Sequence, residues 1–139
     1  MDPVHLLIRN AAAQITFTML LGWLMLIPRQ RRQPEGRLHA LLKRDFTAAH
    51  VDWLMLAFMQ LGAAFLFSQH RVSHGRLIAV ALVFGGWVNP VPYAMRAFGV
   101  NAFRLGGDWK QALSALLSAT SSLALTVAWV AILVEVWRP

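Results

Sequence analysis

The sequence has no cysteine, few acidic residues and a single tyrosine, and these scarcities narrow what the protein can be. Without cysteine the chain can form neither a disulfide framework nor a thiolate metal site, which leaves its redox compartment undecided. Only 14% of its 139 residues are charged, whereas a soluble domain carries about 25%. With 58% hydrophobic residues and a mean hydropathy of +0.52, the composition is typical of a membrane protein.

The shortage of acidic residues leaves a net charge of +7, from 13 Lys and Arg against 6 Asp and Glu. An excess of basic residues can indicate nucleic-acid binding, but here no basic stripe with interleaved aromatic residues is present. The basic residues instead lie between apolar blocks, which is the pattern of membrane loops that set topology. We therefore expect membrane lipid, and no nucleic acid, as a partner.

Four apolar blocks are long enough to cross a bilayer, which takes about 20 helical residues. They cover residues 11–27, 46–67, 77–98 and 112–137. We interpret the first as a retained helix rather than a signal peptide, because its apolar run is long and no small-residue cleavage site follows. The sequence thus predicts an all-α fold, an integral membrane four-helix bundle that forms one domain over residues 1–139.

The links between the blocks differ in charge. Link one (residues 29–45) and link three (residues 96–110) hold most of the basic residues, among them Arg44 and Arg96. With four spans these two links lie on the same side, and the positive-inside rule places that side in the cytoplasm. We expect a multi-pass protein of a bacterial-type inner membrane, with both termini outside.

Two ionisable residues, His50 and Asp52, lie near the start of the second block. Charged or titratable groups within a span are costly, so each is a functional hypothesis. Residues two apart point about 200° apart around a helix, so the two side chains should face different directions. His50 has two readings: a hydrogen-bonded histidine near the interface, or a ligand of a metal or haem.

The third block contains the run GGWVNPVPYAM, residues 85–95, with Asn89 and Tyr93 one helical turn apart. Pro90 lacks an N–H and should free the carbonyl of Gly86, and Pro92 that of Val88. Lipid cannot pair with a free carbonyl, so this face should meet protein, water or a ligand. A packed proline kink and a binding site both satisfy this requirement.

The predicted topology relates the second and third blocks. The second starts and the third ends on the side of link one, so His50 and Tyr93 should lie at similar depth. An imidazole, a carboxyl, an amide and a phenol can therefore converge in one leaflet. In the fourth block, Ser114, Ser118 and Ser121 share one helix face, which favours close helix packing.

The runs AAHVDWLMLAF, GGWVNPVPY and GGDWKQALSALL resemble the styrene oxide isomerase and hydroxylaminobenzene mutase superfamily, whose members are small four-helix membrane proteins. The resemblance implies that His50 is the axial ligand of the iron of haem b. It also implies that Gly86, Trp87, Asn89 and Tyr93, which reproduce a G-W-x-N-x-x-x-Y pattern, line a substrate pocket. Gly107 and Asp108 match the family's Gly-Asp pair before the last helix.

Two positions depart from the pattern of the family. Leu56 stands where the isomerases and mutases carry an asparagine, six residues after the histidine. Asp52 resembles the acid of the mutases and is absent from the styrene oxide enzymes. The resemblance further implies a homotrimer with each haem between neighbouring subunits.

The chemistry that the resemblance implies is a redox-neutral rearrangement. Ferric haem b would act as a Lewis acid on an aryl epoxide, a small apolar substrate, and a 1,2-hydride shift would give the aldehyde. We expect Tyr93, Asn89 and Asp52 to act on the substrate. Trp87 should contact the haem, and the haem propionates need cations, for which Arg44 and Arg96 are the candidates.

Two other functions agree with the same residues. An arylhydroxylamine mutase would move a hydroxyl to the aromatic ring and give an aminophenol, and Asp52 favours it. A non-catalytic haem-binding membrane subunit, which would need a partner, is consistent with the asparagine that Leu56 replaces.

Overall fold

The computed structural model describes residues 1–29, 45–100 and 107–138. The helices, numbered in chain order, are α1 (Pro3–Arg29), α2 (Asp45–Gln69), α3 (Gly75–Val88), α4 (Val91–Ala97) and α5 (Trp109–Val136). Four segments of this described part are long and apolar enough to cross a membrane, and α3 with α4 forms one of them. The predicted all-helical architecture of four spans is therefore confirmed.

The first helix begins at Pro3, well before the predicted apolar block at residue 11. Asp2 provides the reason, because its carboxylate Oδ2 accepts from the backbone N–H of His5 at 3.2 Å and lies 2.7 Å from His5 Nδ1. This N–H lowers the pKa of the Asp2 carboxyl. Proline is favoured at the first helical position, so Asp2 and Pro3 together start the helix before the predicted block.

The last helix also begins at a cap. Asp108 Oδ1 accepts from the backbone N–H of Gln111 at 3.0 Å. Gly107 precedes it with a φ of 115°, a backbone conformation that side chains with a Cβ disfavour. The Gly-Asp pair that the sequence singles out therefore has a structural role, because it turns the chain and starts α5.

The third span is broken between α3 and α4. Asn89 ends the first part, with its backbone N–H on the Gly85 carbonyl at 2.9 Å, and the N–H of Tyr93 returns to the Pro90 carbonyl at 3.1 Å. Since Pro90 has no N–H to donate, the regular hydrogen-bond ladder stops here and restarts within one turn. The predicted run over residues 77–98 is thus one span made of two helices.

Small side chains allow the helices to approach closely, as is common in membrane proteins. α1 packs along α2, and α3 packs along α5. The largest core cluster lies toward the first turns of α1 and α3 and consists of Leu7, Ala63, Ala64, Ile78, Ala79, Leu82, Ala128 and Ile132. On α5, Ser114 and Ser121 are buried, in agreement with the predicted packing role of this serine face.

Many large apolar side chains point away from this core. Trp23, Phe65, Leu77 and Leu133 are each more than half exposed. In a bilayer the outer surface of a helix bundle contacts apolar lipid tails, so large apolar side chains are stable there without being buried in protein. The exposed residues therefore support the assignment of the helices as membrane spans.

Three contacts show how α2 runs antiparallel to the third span. At its start, Asp45 pairs with Arg96, with Oδ1 and Nε 3.5 Å apart. Further along, Asp52 contacts Asn89, and then the Trp53 indole N–H donates to the Trp87 carbonyl at 3.0 Å. The start of α2 thus lies beside the end of the third span, so His50 and Tyr93 share one membrane level as predicted.

Candidate active site

His50 lies on the flank of α2 that faces α1. A Cβ atom built on Gly22 would stand 3.2 Å from His50 Cε1, so glycine leaves the imidazole room that a larger residue would reduce. The imidazole lines a groove of about 240 Å³ together with five residues of apolar character and one threonine: Thr18, Met19, Gly22, Trp23, Leu26 and Leu54. The groove opens toward the outside of the bundle rather than into its core.

The two nitrogens of His50 have different surroundings. Nδ1 is buried and has no hydrogen-bond partner among the described residues. Nε2 is therefore the nitrogen that a ligand entering the groove can reach. No cluster of three or more His, Cys, Asp or Glu side chains in the described ranges could hold a bare metal ion. A metal at His50 would therefore take its other ligands from outside the described residues of this chain.

On the opposite flank of α2, Asp52, Asn89 and α5 form a polar chain. Asn89 Nδ2 donates to Asp52 Oδ2 at 3.1 Å, and Asn89 Oδ1 accepts from the Ser122 hydroxyl at 2.9 Å. Asn89 comes from the break between α3 and α4, where the ladder of backbone hydrogen bonds stops. The break thus places an amide between the carboxyl of one helix and the hydroxyl of another.

Asp52 and Tyr93 line the same groove, which has a volume of about 490 Å³. Its other lining residues are Thr47, Ala48, Val51 and Met55. The surface is mostly apolar, and its polar groups are the carboxyl of Asp52, the phenol of Tyr93 and the hydroxyl of Thr47. This is the composition of a site for a small apolar molecule with one polar end.

The structure therefore brings together three of the predicted site residues, Asp52, Asn89 and Tyr93. It places His50 at the same level but on the other flank of the helix. The predicted angle between residues two apart explains this separation. Within one chain, the imidazole and the groove of Tyr93 do not meet.

Trp87 is half-buried and packs against α1. Its indole N–H donates to Asn10 Oδ1 at 2.9 Å, and its ring contacts that of Phe17 with centroids 5.4 Å apart. The Phe17 ring also meets Trp53 edge-on, at 5.1 Å. The side chain of Trp87 is thus fixed by its contacts with α1.

A buried polar belt joins α1, α2 and α3 at the centre of the bundle. The amide of Asn10 donates to Gln60 Oε1 at 2.6 Å, and Gln60 Nε2 donates to Gln14 Oε1 at 2.7 Å. Gln14 Nε2 then donates to the Gly86 carbonyl at 2.6 Å. This carbonyl is the one that Pro90 frees, so the predicted partner is a glutamine of the first helix.

Gly86 has a packing role as well. A Cβ at this position would collide with the amide of Gln60 and stand 3.1 Å from Gln14 Oε1. The glycine therefore lets the two amides approach the backbone of α3. Its place in the G-W-x-N-x-x-x-Y pattern therefore has a packing explanation in the belt.

The remaining predicted residues lie at the edge of the site. Arg96 is held at this membrane edge by its ion pair with Asp45. Arg44 lies outside the described residues. Leu56 is buried and follows Asp52 by one helical turn, so a carboxyl is available one turn before the position of the family's asparagine.

Sequence reasoning missed four polar residues, namely Asn10, Gln14, Gln60 and Ser122. The prediction rested on the ionisable residues within the spans and on the amide of the third span, and it left out the neutral amides of the first and second spans. A signal was present, because Asn10 and Gln14 are one turn apart in an apolar helix. No such signal distinguished Ser122 in the sequence, because it lies next to the serines that were assigned to helix packing.

Fold and site together define a small four-span membrane protein with a histidine-lined groove and a groove of carboxyl and phenol at the same depth. The family model for styrene oxide isomerase matches residues 4–137, nearly the whole chain. The chain belongs to the styrene oxide isomerase family, a family of isomerases. No curated protein and no solved structure matches it closely enough to be compared.

Proposed function

We propose that the protein is a haem b isomerase that converts an aryl epoxide, such as a styrene-oxide-like substrate, to an aldehyde. The observation that carries the proposal is the His50 imidazole, which faces an outward groove above Gly22. One imidazole without a further His, Cys, Asp or Glu cluster among the described residues fits a haem, because the porphyrin would supply the remaining nitrogen ligands. Membership of the isomerase family agrees with this reading.

The residues that would hold the cofactor follow from this geometry. Nε2 of His50 would hold the iron, and Arg96, fixed beside Asp45 at the same membrane edge, would pair with a propionate. When bound, a ferric haem supplies a Lewis acid with an open position, without net electron transfer.

The groove of Asp52 and Tyr93 would bind the substrate. The apolar residues Val51 and Met55 would hold the aromatic ring and exclude water, which would otherwise trap a cationic carbon as a diol. As the benzylic C–O bond opens, negative charge grows on oxygen, and the Tyr93 phenol can donate a hydrogen bond to it. The carboxylate of Asp52 would stabilise the positive charge on carbon.

The chemistry is an isomerisation, so no atom is gained or lost. The epoxide C–O bond breaks at the benzylic carbon, and a hydrogen moves with its electron pair from the terminal carbon to the benzylic one. The carbonyl of the aldehyde then forms from the terminal carbon and the oxygen. Asp52, one turn before Leu56, would supply the polar contact for which the family uses an asparagine.

We also propose a homotrimer with the haem between subunits. The His50 groove and the Tyr93 groove lie on opposite flanks of α2, so a head-to-tail contact would put one against the other. Such heterologous contacts close into a ring when the rotation permits. The distribution of basic residues leads us to propose further that the protein lies in a bacterial inner membrane, with links one and three in the cytoplasm and the termini outside.

The test is turnover of an epoxide that carries deuterium on its terminal carbon. The purified protein should give an aldehyde in which one deuterium has moved to the adjacent carbon, with no exchange with water. A diol, or an aldehyde that has gained solvent hydrogen, would contradict the mechanism. The mutase alternative, which the carboxyl of Asp52 favours, is tested by offering an arylhydroxylamine to the same preparation.

A homotrimer that turns over epoxide without any added protein would exclude the remaining alternative, a non-catalytic haem-binding subunit. That alternative requires a second protein to supply the activity. The purified chain alone, in detergent and with haem supplied during expression, is therefore the correct preparation for both tests.

A further inference from the structure

Two neighbouring serines of α5 approach the amide of Asn89, but at different distances. The Ser122 hydroxyl lies 2.9 Å from Asn89 Oδ1, and the Ser121 hydroxyl lies 3.4 Å from the same atom. Ser122 is exposed on the bundle surface, whereas Ser121 is buried. The sequence pattern marked Ser121, yet the shorter contact belongs to Ser122.

A serine hydroxyl has one proton to donate, so the competing acceptors decide its partner. Ser121 Oγ lies 2.6 Å from the Leu117 carbonyl of its own helix, much nearer than the amide. Its proton therefore stays within α5. Ser122 Oγ donates to Asn89 Oδ1, and on a membrane-facing surface a hydroxyl needs such a partner.

The direction of the Asn89 amide follows from this donor. With Oδ1 bound to Ser122, Nδ2 faces Asp52 and donates to its carboxylate at 3.1 Å. A flipped amide would place its oxygen against the carboxylate oxygens, which have no proton to offer when ionised. The hydroxyl on α5 thereby sets the orientation of a carboxyl on α2.

We infer that Ser122 is a positioning residue of the proposed active site, acting through Asn89 on the Asp52 carboxyl that lines the groove with Tyr93. The inference rests on the proposed function for its consequence in turnover. Asn89 also takes a new role in this inference, because its amide oxygen and one of its amide N–H groups already form hydrogen bonds within the protein. Asn89 then orients Asp52 rather than the substrate.

The experiment compares Ser122→Ala with Ser121→Ala and Ser122→Thr in the purified full chain. Ser121→Ala is the matched control, because it removes a neighbouring hydroxyl whose proton stays in its own helix. Ser122→Thr keeps the hydroxyl and tests rescue. We expect kcat for epoxide to fall about tenfold in Ser122→Ala, with KM within about twofold, since the loss is one of orientation. Both other variants should stay within about twofold of the wild type.

A second readout does not need turnover. Protein labelled with isotopic asparagine gives side-chain amide signals in nuclear magnetic resonance, and Asn89→Ala identifies those of Asn89. They should move in Ser122→Ala and in Asp52→Ala, and stay in Ser121→Ala. Equal signals in both serine-to-alanine variants, or no recovery of kcat in Ser122→Thr, would overturn the inference.

The two proposals fail in different ways. If the wild-type chain converts no epoxide, the proposed function fails, and the amide signals alone decide the role of Ser122. If the wild type is active and the two alanine variants behave alike, the proposed function stands and Ser122 has no positioning role.

Discussion

Gln14 Nε2 donates to the Gly86 carbonyl at 2.6 Å, and this carbonyl is the one that Pro90 leaves without a helical partner. A side chain of the first span thus supplies the hydrogen bond that the backbone of the third span lacks. This hydrogen bond allows the backbone ladder to break between α3 and α4 while the Gly86 carbonyl remains paired. The polar belt and the proposed site therefore depend on the same proline.

We predict that Gln14→Ala and Pro90→Ala are coupled in stability. Gln14→Ala alone leaves the Gly86 carbonyl unpaired, which should cost about 1–3 kcal/mol. In a Pro90→Ala background the new backbone N–H can donate to that carbonyl, so the same loss should cost less. A double-mutant cycle of unfolding in mixed detergent micelles measures the difference. Strictly additive effects would contradict this role of Gln14.

A second prediction concerns the close approach at Gly86. Gly86→Ala places a Cβ against the amides of Gln60 and Gln14, so it should destabilise the fold by about 1–3 kcal/mol. Gly62→Ala is the matched control, because a Cβ at Gly62 meets nothing within 4 Å. That variant should be neutral or more stable by about 1 kcal/mol, since alanine favours helix. Similar unfolding curves for both variants would refute the packing role.

The groove in front of His50 can be filled without touching the imidazole. Gly22→Leu should abolish haem binding, because its side chain would occupy the space that glycine leaves beside Cε1. Gly62→Leu, on the same second helix as His50 but in open space, should bind haem as the wild type does. The measurement is the ratio of haem absorbance to protein absorbance after purification. Full haem content in Gly22→Leu would place the cofactor elsewhere.

The proposed assembly predicts complementation between two inactive variants. If a site takes His50 from one subunit and Asp52 from its neighbour, co-expressed His50→Ala and Asp52→Asn chains should form some intact sites. Random mixing in a ring would restore about a quarter of them. Epoxide turnover by the co-expressed mixture, compared with each variant alone, measures this. No gain over the separate variants would argue for a site built within one chain.

The sequence predicted the four spans because the length and apolar character of a membrane helix are nearly sufficient to find it. It also predicted that His50 and Asp52 face apart and that His50 and Tyr93 share a level, since both follow from helix geometry and topology. The earlier start of α1 was missed because His5, Arg9 and Asn10 interrupt its apolar residues, although Asp2 caps the helix before them.

The polar contacts were not predictable in the same way. Which amide meets the Gly86 carbonyl depends on how α1 packs against α2 and α3, and periodicity within one helix does not encode that. The choice of Ser122 over Ser121 depends on the rotation of α5 by a fraction of a turn. Such details are decided by tertiary packing, as small side chains let the helices settle together.

The central claim is that His50 ligates haem b, and the visible absorption spectrum tests it most directly. Protein purified in detergent after expression with added haem should show a Soret band, and His50→Ala should lose it. His70→Ala is the control, because His70 is exposed at the end of α2 and should leave the band unchanged. A wild type without a Soret band, or a His50→Ala protein with an unaltered one, would contradict the account.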